Sequence, residues 1–219
     1  MNTPAGQISI RSVGGNPNTD ILTLIDGRAQ YMGLMGHPVA DNYLSAHIEC
    51  VEIIRGPASL LYGSNAMGGV INLNTRSTTL PGISGSASLL YGSYDSQHLG
   101  ANIGYETGPL STIVSFTHER TDGFRSWSEF NANSGYLKSS YQINNQYTVT
   151  VDGSLTKFKT FDPGTISAPL INNWMDIQRG YVGVSVDNDF GVSKGSFRFA
   201  YNFGHHELYT TGSLMTLQR

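Results

Sequence analysis

From residue 83 onward the side chains alternate singly between apolar and polar, and nothing else in the sequence constrains the fold as strongly. A period of two belongs to a β-strand with unlike faces. Across 146–158, Tyr147, Val149, Val151 and Leu155 share one face, and Thr148, Thr150, Asp152, Ser154 and Thr156 share the other. Across 195–204, Phe197, Phe199, Tyr201 and Phe203 oppose Ser196, Arg198, Ala200 and Asn202. Leu99, Ala101, Ile103 and Tyr105 oppose His98, Gly100, Asn102 and Gly104, and Val182, Val184 and Val186 oppose Gly183, Ser185 and Asp187. The pattern predicts strands at 83–93, 96–106, 110–120, 132–143, 146–158, 178–187 and 195–205. These lengths suit a tilted membrane-spanning strand of roughly 9–11 residues and exceed the roughly 5–6 usual in soluble sheets.

The connections support the same reading. Those at 107–109, 144–145 and 188–194 are short, and those at 121–131 and 159–177 are long. Outer-membrane barrels have short turns on the periplasmic side and long loops outside. Odd strands are therefore expected to run outward, with Tyr105, Tyr141 and Tyr147 in a girdle near the short-turn end. The face carrying Val149, Val151, Val182, Val184, Phe197 and Phe199 is expected to point outward. A soluble β-sandwich or adhesin domain also alternates, but strand length and loop rhythm argue against it.

The composition fits: charged residues are 13% and hydrophobic ones 39%, with 26 Gly and 12 Tyr. No apolar run approaches the roughly 18–20 residues of a membrane helix. The net charge of −3 gives no argument for a nucleic-acid partner. Cys50 is the single cysteine, so no intrachain disulfide can form, and it is expected to be an inert buried residue. No nucleophile elbow or metal-ligand motif is present, so neither catalysis nor a cofactor or metal is expected. His205-His206 is weak evidence for a metal site.

Residues 1–76 have a different character: short β-branched runs, loops and one brief helical signal. Strands are expected at 7–11, 21–25, 51–54 and 70–74, with a turn at Asp26-Gly27 and a helix between Pro57 and Gly63. Residues 77–82 read as a linker, and 83–219 as the strand region. Gly56, Gly63, Gly68 and Gly69 are read as backbone devices. Residues 31–42, carrying Tyr31, Met32, Met35 and His37, read as a loop.

The segment from Glu49 to Arg76 contains Arg55-Gly56-Pro57, Ser59, Leu61-Tyr62-Gly63, Ala66 and Gly68-Gly69-Val70-Ile71-Asn72. It closely resembles the signature that ends the plug domain of TonB-dependent outer-membrane receptors. Ile8-Ser9-Ile10-Arg11 and Leu24-Ile25-Asp26-Gly27 resemble two earlier plug motifs in the right order. Three departures stand out: Ser12 where the family has Gly, Cys50 where it has Arg, and no TonB box. The resemblance implies a small α/β plug followed by antiparallel transmembrane strands of a barrel that closes with about 22. By that measure the chain reads as truncated at both ends, without a signal peptide, and a non-transporting remnant is the rival reading.

The resemblance further implies energised uptake of a large, scarce nutrient across a Gram-negative outer membrane. The partners would be outer-membrane lipid, the TonB–ExbB–ExbD complex and the nutrient chelate. A ferric siderophore or other iron chelate is favoured, being the family's commonest cargo. Arg11 and Arg55 would lock the plug to glutamates on the barrel wall, and the loop bearing Tyr31, Met32, Met35 and His37 would face the ligand. Gly33 to Val39 resembles receptors of the Bacteroides group.

Overall fold

The structure, a computed structural model, describes residues 8–14, 20–29, 47–78, 81–210 and 213–218. The chain forms two compact units, Met1–Arg76 and Ser77–Arg219.

In the first unit a four-stranded mixed sheet has the order β2-β1-β4-β3. Its strands are β1 (Ile21–Ile25), β2 (Arg28–Ala29), β3 (Ile48–Arg55) and β4 (Gly69–Thr75). β1 runs parallel to β4, with Ile21 opposite Gly69 and Ile25 opposite Leu73, and antiparallel to β2 across the Asp26-Gly27 turn. All five residues of β1 are buried, as befits a central strand whose sequence is nearly all apolar. Leu22, Leu24, Ala58, Ala66 and Val70 make the core, the two Leu and the Val side chains each contributing about 1.5–3 kcal/mol.

Two expectations for this unit fail. Residues 8–11 form no strand: Ile10 and Val13 exchange backbone hydrogen bonds of 2.8 and 3.0 Å around a tight turn at Arg11-Ser12. The β-branched run was too short to hold an extended strand against that turn. Cys50 is exposed, not buried. It sits beside a register irregularity in β3, an edge strand that exposes both faces.

The second unit is one antiparallel meander of eight strands. They are β5 (Gly82–Gly92), β6 (Ser96–Thr107), β7 (Leu110–Thr121), β8 (Phe130–Gln142), β9 (Tyr147–Phe161), β10 (Trp174–Asp189), β11 (Lys194–Thr210) and β12 (Ser213–Gln218). Seven coincide with the expected runs, and β12 is an addition. β9, β10 and β11 extend further toward the long-loop end than the alternation indicated. Beyond Leu155 the apolar face turns polar, with Lys157 and Lys159 opposite Gln178 and Asp176, while Phe158 meets Ile177 on the other face, so the alternation inverts while the backbone ladder continues.

The short turns are closed by side chains as well as backbone. Asn144 Oδ1 accepts from the Gln146 and Tyr147 amides at 2.8 and 2.9 Å, and Asp189 Oδ1 accepts from the Gly191 amide at 2.8 Å. At the other end the long loops are tied together, the Arg125 guanidinium donating to the Gly164 carbonyl and the Phe161 amide to the Glu129 carbonyl.

Candidate functional site

The signature segment folds as one hairpin. β3 and β4 pair antiparallel up to Arg55 opposite Gly69, and the ladder continues into the connection, Gly56 N to Gly68 O at 3.3 Å and Ala58 N to Ala66 O at 2.9 Å. Between these rungs sits a four-residue helix, α1 (Ser59–Tyr62), stopped as expected at Gly63, whose φ of +88° few other residues tolerate. Pro57 lies before the helix, which starts at Ser59. Gly69 has a φ of +149°, and a Cβ there would stand 2.5 Å from the Ile54 carbonyl oxygen. A Cβ on Gly68 would meet the Val13 side chain at 2.7 Å. These two glycines let the 10–13 turn and β3 approach β4 closely.

That turn carries Arg11, and Arg55 ends β3 at the same end of the sheet, opposite Gly69. Both arginines are exposed. The Arg11-Ser12 turn is strained, with φ of +50° and +66°, a left-handed pair that favours Asn-Gly. Ser12 thus occupies a position whose left-handed backbone glycine adopts without steric strain.

Asn72 joins three parts of the first unit. Its Oδ1 accepts from the Gly27 amide at 2.9 Å, and its Nδ2 donates to Glu52 Oε2 at 2.9 Å and Asn74 Oδ1 at 2.8 Å. Bonds with Asn72 and then Asn74 hold the Glu52 carboxyl below its ordinary range. Asp26 completes the network, its Oδ1 accepting from the Thr75 amide at 2.8 Å and its Oδ2 from the Thr75 hydroxyl at 2.6 Å. His47 is buried, and burial pushes its imidazole down to about 4 against a smaller raising effect of Asp26. Glu52, Asn74, Thr75 and His47 were not singled out from the sequence, and Asp26 only as part of a turn and a motif. Counting the hairpin register outward from its tip would have set Glu52 opposite Asn72.

The large sheet has the inverse polarity of a soluble one. Thr156 is 1% and Asp152 3% exposed on one face, while Phe197 is 69%, Val182 55% and Val151 50% exposed on the other. Two hydroxyl pairs bond across strands on the polar face, Ser134 with Thr156 at 3.0 Å and Ser140 with Thr150 at 2.9 Å. The apolar residues make a continuous band. Gly85, Ile103, Val114, Leu137, Gly153, Val182 and Tyr201 lie in register across seven strands. Phe203 covers Gly180, where a Cβ would stand 2.4 Å from its ring. Tyr105, Tyr141 and Tyr147 are exposed near the short turns, and Tyr147 meets Phe190 edge-on at 5.7 Å.

His205 and His206 point to opposite faces: His205 bonds Glu207 at 3.0 Å, and buried His206 accepts from Arg179 Nε at 2.8 Å. Tyr31, Met32, Met35 and His37, with the whole Gly33–Val39 stretch, lie outside the described residues.

Residues 1–70 match the family described as TonB-dependent Receptor Plug Domain. Among solved structures, the siderophore receptor PirA of Acinetobacter baumannii is 19% identical with a TM-score of 0.71, covering 97% of this chain and 37% of that one. The alcaligin outer-membrane receptor FauA of Bordetella pertussis is 15% identical with a TM-score of 0.72, covering 95% and 36%. The copper transporter OprC is 16% identical with a TM-score of 0.74, covering 93% and 32%. The chain thus spans about a third of the length of these structures, and at such identities the likeness is one of fold. Residues 1–70 thus carry the plug domain of a TonB-dependent receptor, and the antiparallel strands that follow in the chain match that family's barrel in fold.

Proposed function

We propose that this chain is part of a Gram-negative outer-membrane receptor that takes up a large, scarce nutrient, with an iron chelate as cargo. Residues 1–76 act as plug, 77–82 as linker and 83–219 as the first barrel strands. The observation that carries this reading is the inverse polarity of the large sheet, apolar outside and hydroxyl-rich within, downstream of the plug signature. A strand exposing Phe197, Phe199 and Tyr201 gains from contact with acyl chains, whereas water would penalise it. Backbone polar groups cannot be left open in lipid, so the sheet edges at β5 and β12 need pairing partners to close a barrel.

Transport through such a plugged barrel requires energy, which the TonB–ExbB–ExbD complex supplies. Arg11 and Arg55 hold the plug through glutamates of the barrel wall, since charges at a protein–protein contact need partners. Their position at one end of the plug sheet supports a shared role. The loop with Tyr31, Met32, Met35 and His37 faces the ligand. The test is uptake of iron-55 as ferric siderophores by cells with the receptor gene intact, deleted, or intact in a strain lacking TonB. Uptake that depends on both the receptor and TonB is expected. Equal uptake in all three strains would remove the iron assignment, and recovery of the protein in the soluble fraction would remove the membrane one.

A further inference from the structure

On the polar face of β5, β6 and β7, a serine, a histidine and a glutamate line up. Ser88 Oγ lies 3.3 Å from His98 Nε2, and His98 Nδ1 lies 3.2 Å from Glu119 Oε1. Register brings them together: His98 stands opposite Glu119 on β7, and Ser88 stands opposite Gly100, two residues along β6 from His98. The His98 ring therefore reaches Ser88 diagonally across Gly100. A Cβ at Gly100 would stand 2.7 Å from Ser88 Oγ and 3.3 Å from His98 Nε2, so only a glycine leaves the contact open. No motif frames the three residues in the sequence, because each comes from a different strand.

The order of the atoms sets the direction of the hydrogen bonds. An ionised carboxylate only accepts, so Glu119 takes the hydrogen of Nδ1 and leaves Nε2 as the acceptor for the Ser88 hydroxyl. That is the polarity of a nucleophile, its base and a group that orients the base. The serine–histidine distance is on the long side, as is common before a substrate tightens such a contact. The His98 and Glu119 side chains are 29% and 28% exposed and Ser88 is exposed, so a small molecule can reach Oγ. The neighbouring serines on this face of β5 have other partners: Ser84 bonds the Thr78 hydroxyl at 3.3 Å, and Ser86 accepts from Asn102 Nδ2 at 3.3 Å.

We propose that Ser88 is an acyl-acceptor site, with His98 as its general base and Glu119 positioning His98. As Oγ bonds the carbonyl carbon of an ester, its proton passes to His98 Nε2, and the imidazolium is held by the Glu119 carboxylate. The bond from that carbon to the leaving oxygen then breaks, and the leaving group takes the proton from Nε2. Ser88 ends as an ester, the leaving group as a free alcohol, and His98 as the neutral imidazole it was. Among the described residues no oxyanion donors join the three, so the site suits acyl groups that carry a good leaving group, such as aryl esters. The outcome is a single covalent capture without turnover, and it goes beyond the uptake reading without depending on it.

The test is acetylation of the 219-residue chain by para-nitrophenyl acetate in detergent micelles, read by peptide mass mapping as the rate at which Ser88 gains an acetyl group. An acetyl on Ser88 that hydroxylamine removes is expected, with Ser84 and Ser86 unmodified. His98→Gln should slow the reaction by about 100-fold. Gly100→Ala should slow it as well, by wedging a methyl group between Oγ and Nε2. Glu119→Gln should slow it by a smaller factor than His98→Gln, and Glu119→Asp, which keeps the carboxylate, should restore part of the rate. His98→Gly should regain rate on addition of free imidazole, which a variant that had merely lost its fold would not. Absence of the acetyl on Ser88, equal labelling of Ser84 and Ser86, or an undiminished rate in His98→Gln or Glu119→Gln overturns the proposal. So does failure of imidazole to rescue His98→Gly, or a wild-type rate that persists in urea, where the three strands no longer hold the residues together.

Discussion

At the scale of single residues, the plug signature is a set of backbone and hydrogen-bond solutions. Gly69 has no tolerable substitute, because φ of +149° and the Ile54 carbonyl at 2.5 Å both exclude a Cβ. Gly69→Ala is expected to cost at least about 2 kcal/mol in the unfolding midpoint. Ser12 is the reverse case. Its left-handed φ of +66° costs a serine about 1–2 kcal/mol, partly offset because glycine loses more chain entropy on folding. Ser12→Gly should therefore raise stability by about 0.5–1 kcal/mol in urea unfolding, and a loss of stability would contradict the turn geometry. Asn72→Ala breaks the bonds to Gly27, Glu52 and Asn74 at once, with an expected loss of about 1–3 kcal/mol. His47 gives the first unit a pH dependence. Its folded value of about 4 lies below the ordinary 6.5, so the unfolded chain takes up the proton first. Stability should be full above pH 6.5, fall as pH drops from 6.5 to 4, and level off below, a change of roughly 3 kcal/mol. His47→Gln should flatten that slope in unfolding curves recorded across the window.

At the scale of elements, two kinds of strand meet in one chain. β1 is buried on both faces and reads as an almost wholly apolar run, while β9 and β10 bury a polar face and expose an apolar one. The strands of the large sheet pair residue for residue, so a single outward position samples the medium around the band. Val184 lies in register between Val151 and Phe199. Val184→Lys should cost about 2–4 kcal/mol in folding into bilayers, measured by urea titration of vesicle-bound protein. A cost near zero would place that face in water. The turn chemistry also acts at this scale: Asn144 closes the β8–β9 connection with two side-chain bonds, which fixes the register of Tyr141 opposite Val149.

At the scale of the molecule, the large sheet presents a surface that water does not suit. Phe197, Phe199, Tyr201, Val182, Val151 and Leu155 are all exposed on one face. A contiguous apolar patch of that kind drives association in aqueous buffer. Light scattering should show aggregates of the 219-residue chain in detergent-free buffer that become smaller when detergent micelles cover the apolar face. A monodisperse chain without detergent would remove the case for a lipid-facing sheet.

What the sequence determined by itself follows from local rules. Alternation located seven strands and their outward faces, because a period of two is imprinted by the pleat regardless of what surrounds it. Gly63 and the Asp26-Gly27 turn were legible because left-handed backbone selects few residue types. The strand extensions beyond Phe158, before Gln178 and beyond His205 were not legible, since ladder hydrogen bonds continue whatever the polarity of the faces. The burial of His47, the exposure of Cys50 and the turn at Arg11-Ser12 were decided by tertiary structure alone. So was the convergence of Asp26, Glu52, Asn72 and Thr75, which depends on the parallel pairing of β1 with β4 across a long stretch of chain. Such non-local pairing leaves no period in the sequence, because the partners are chosen by packing and register rather than by their neighbours along the chain.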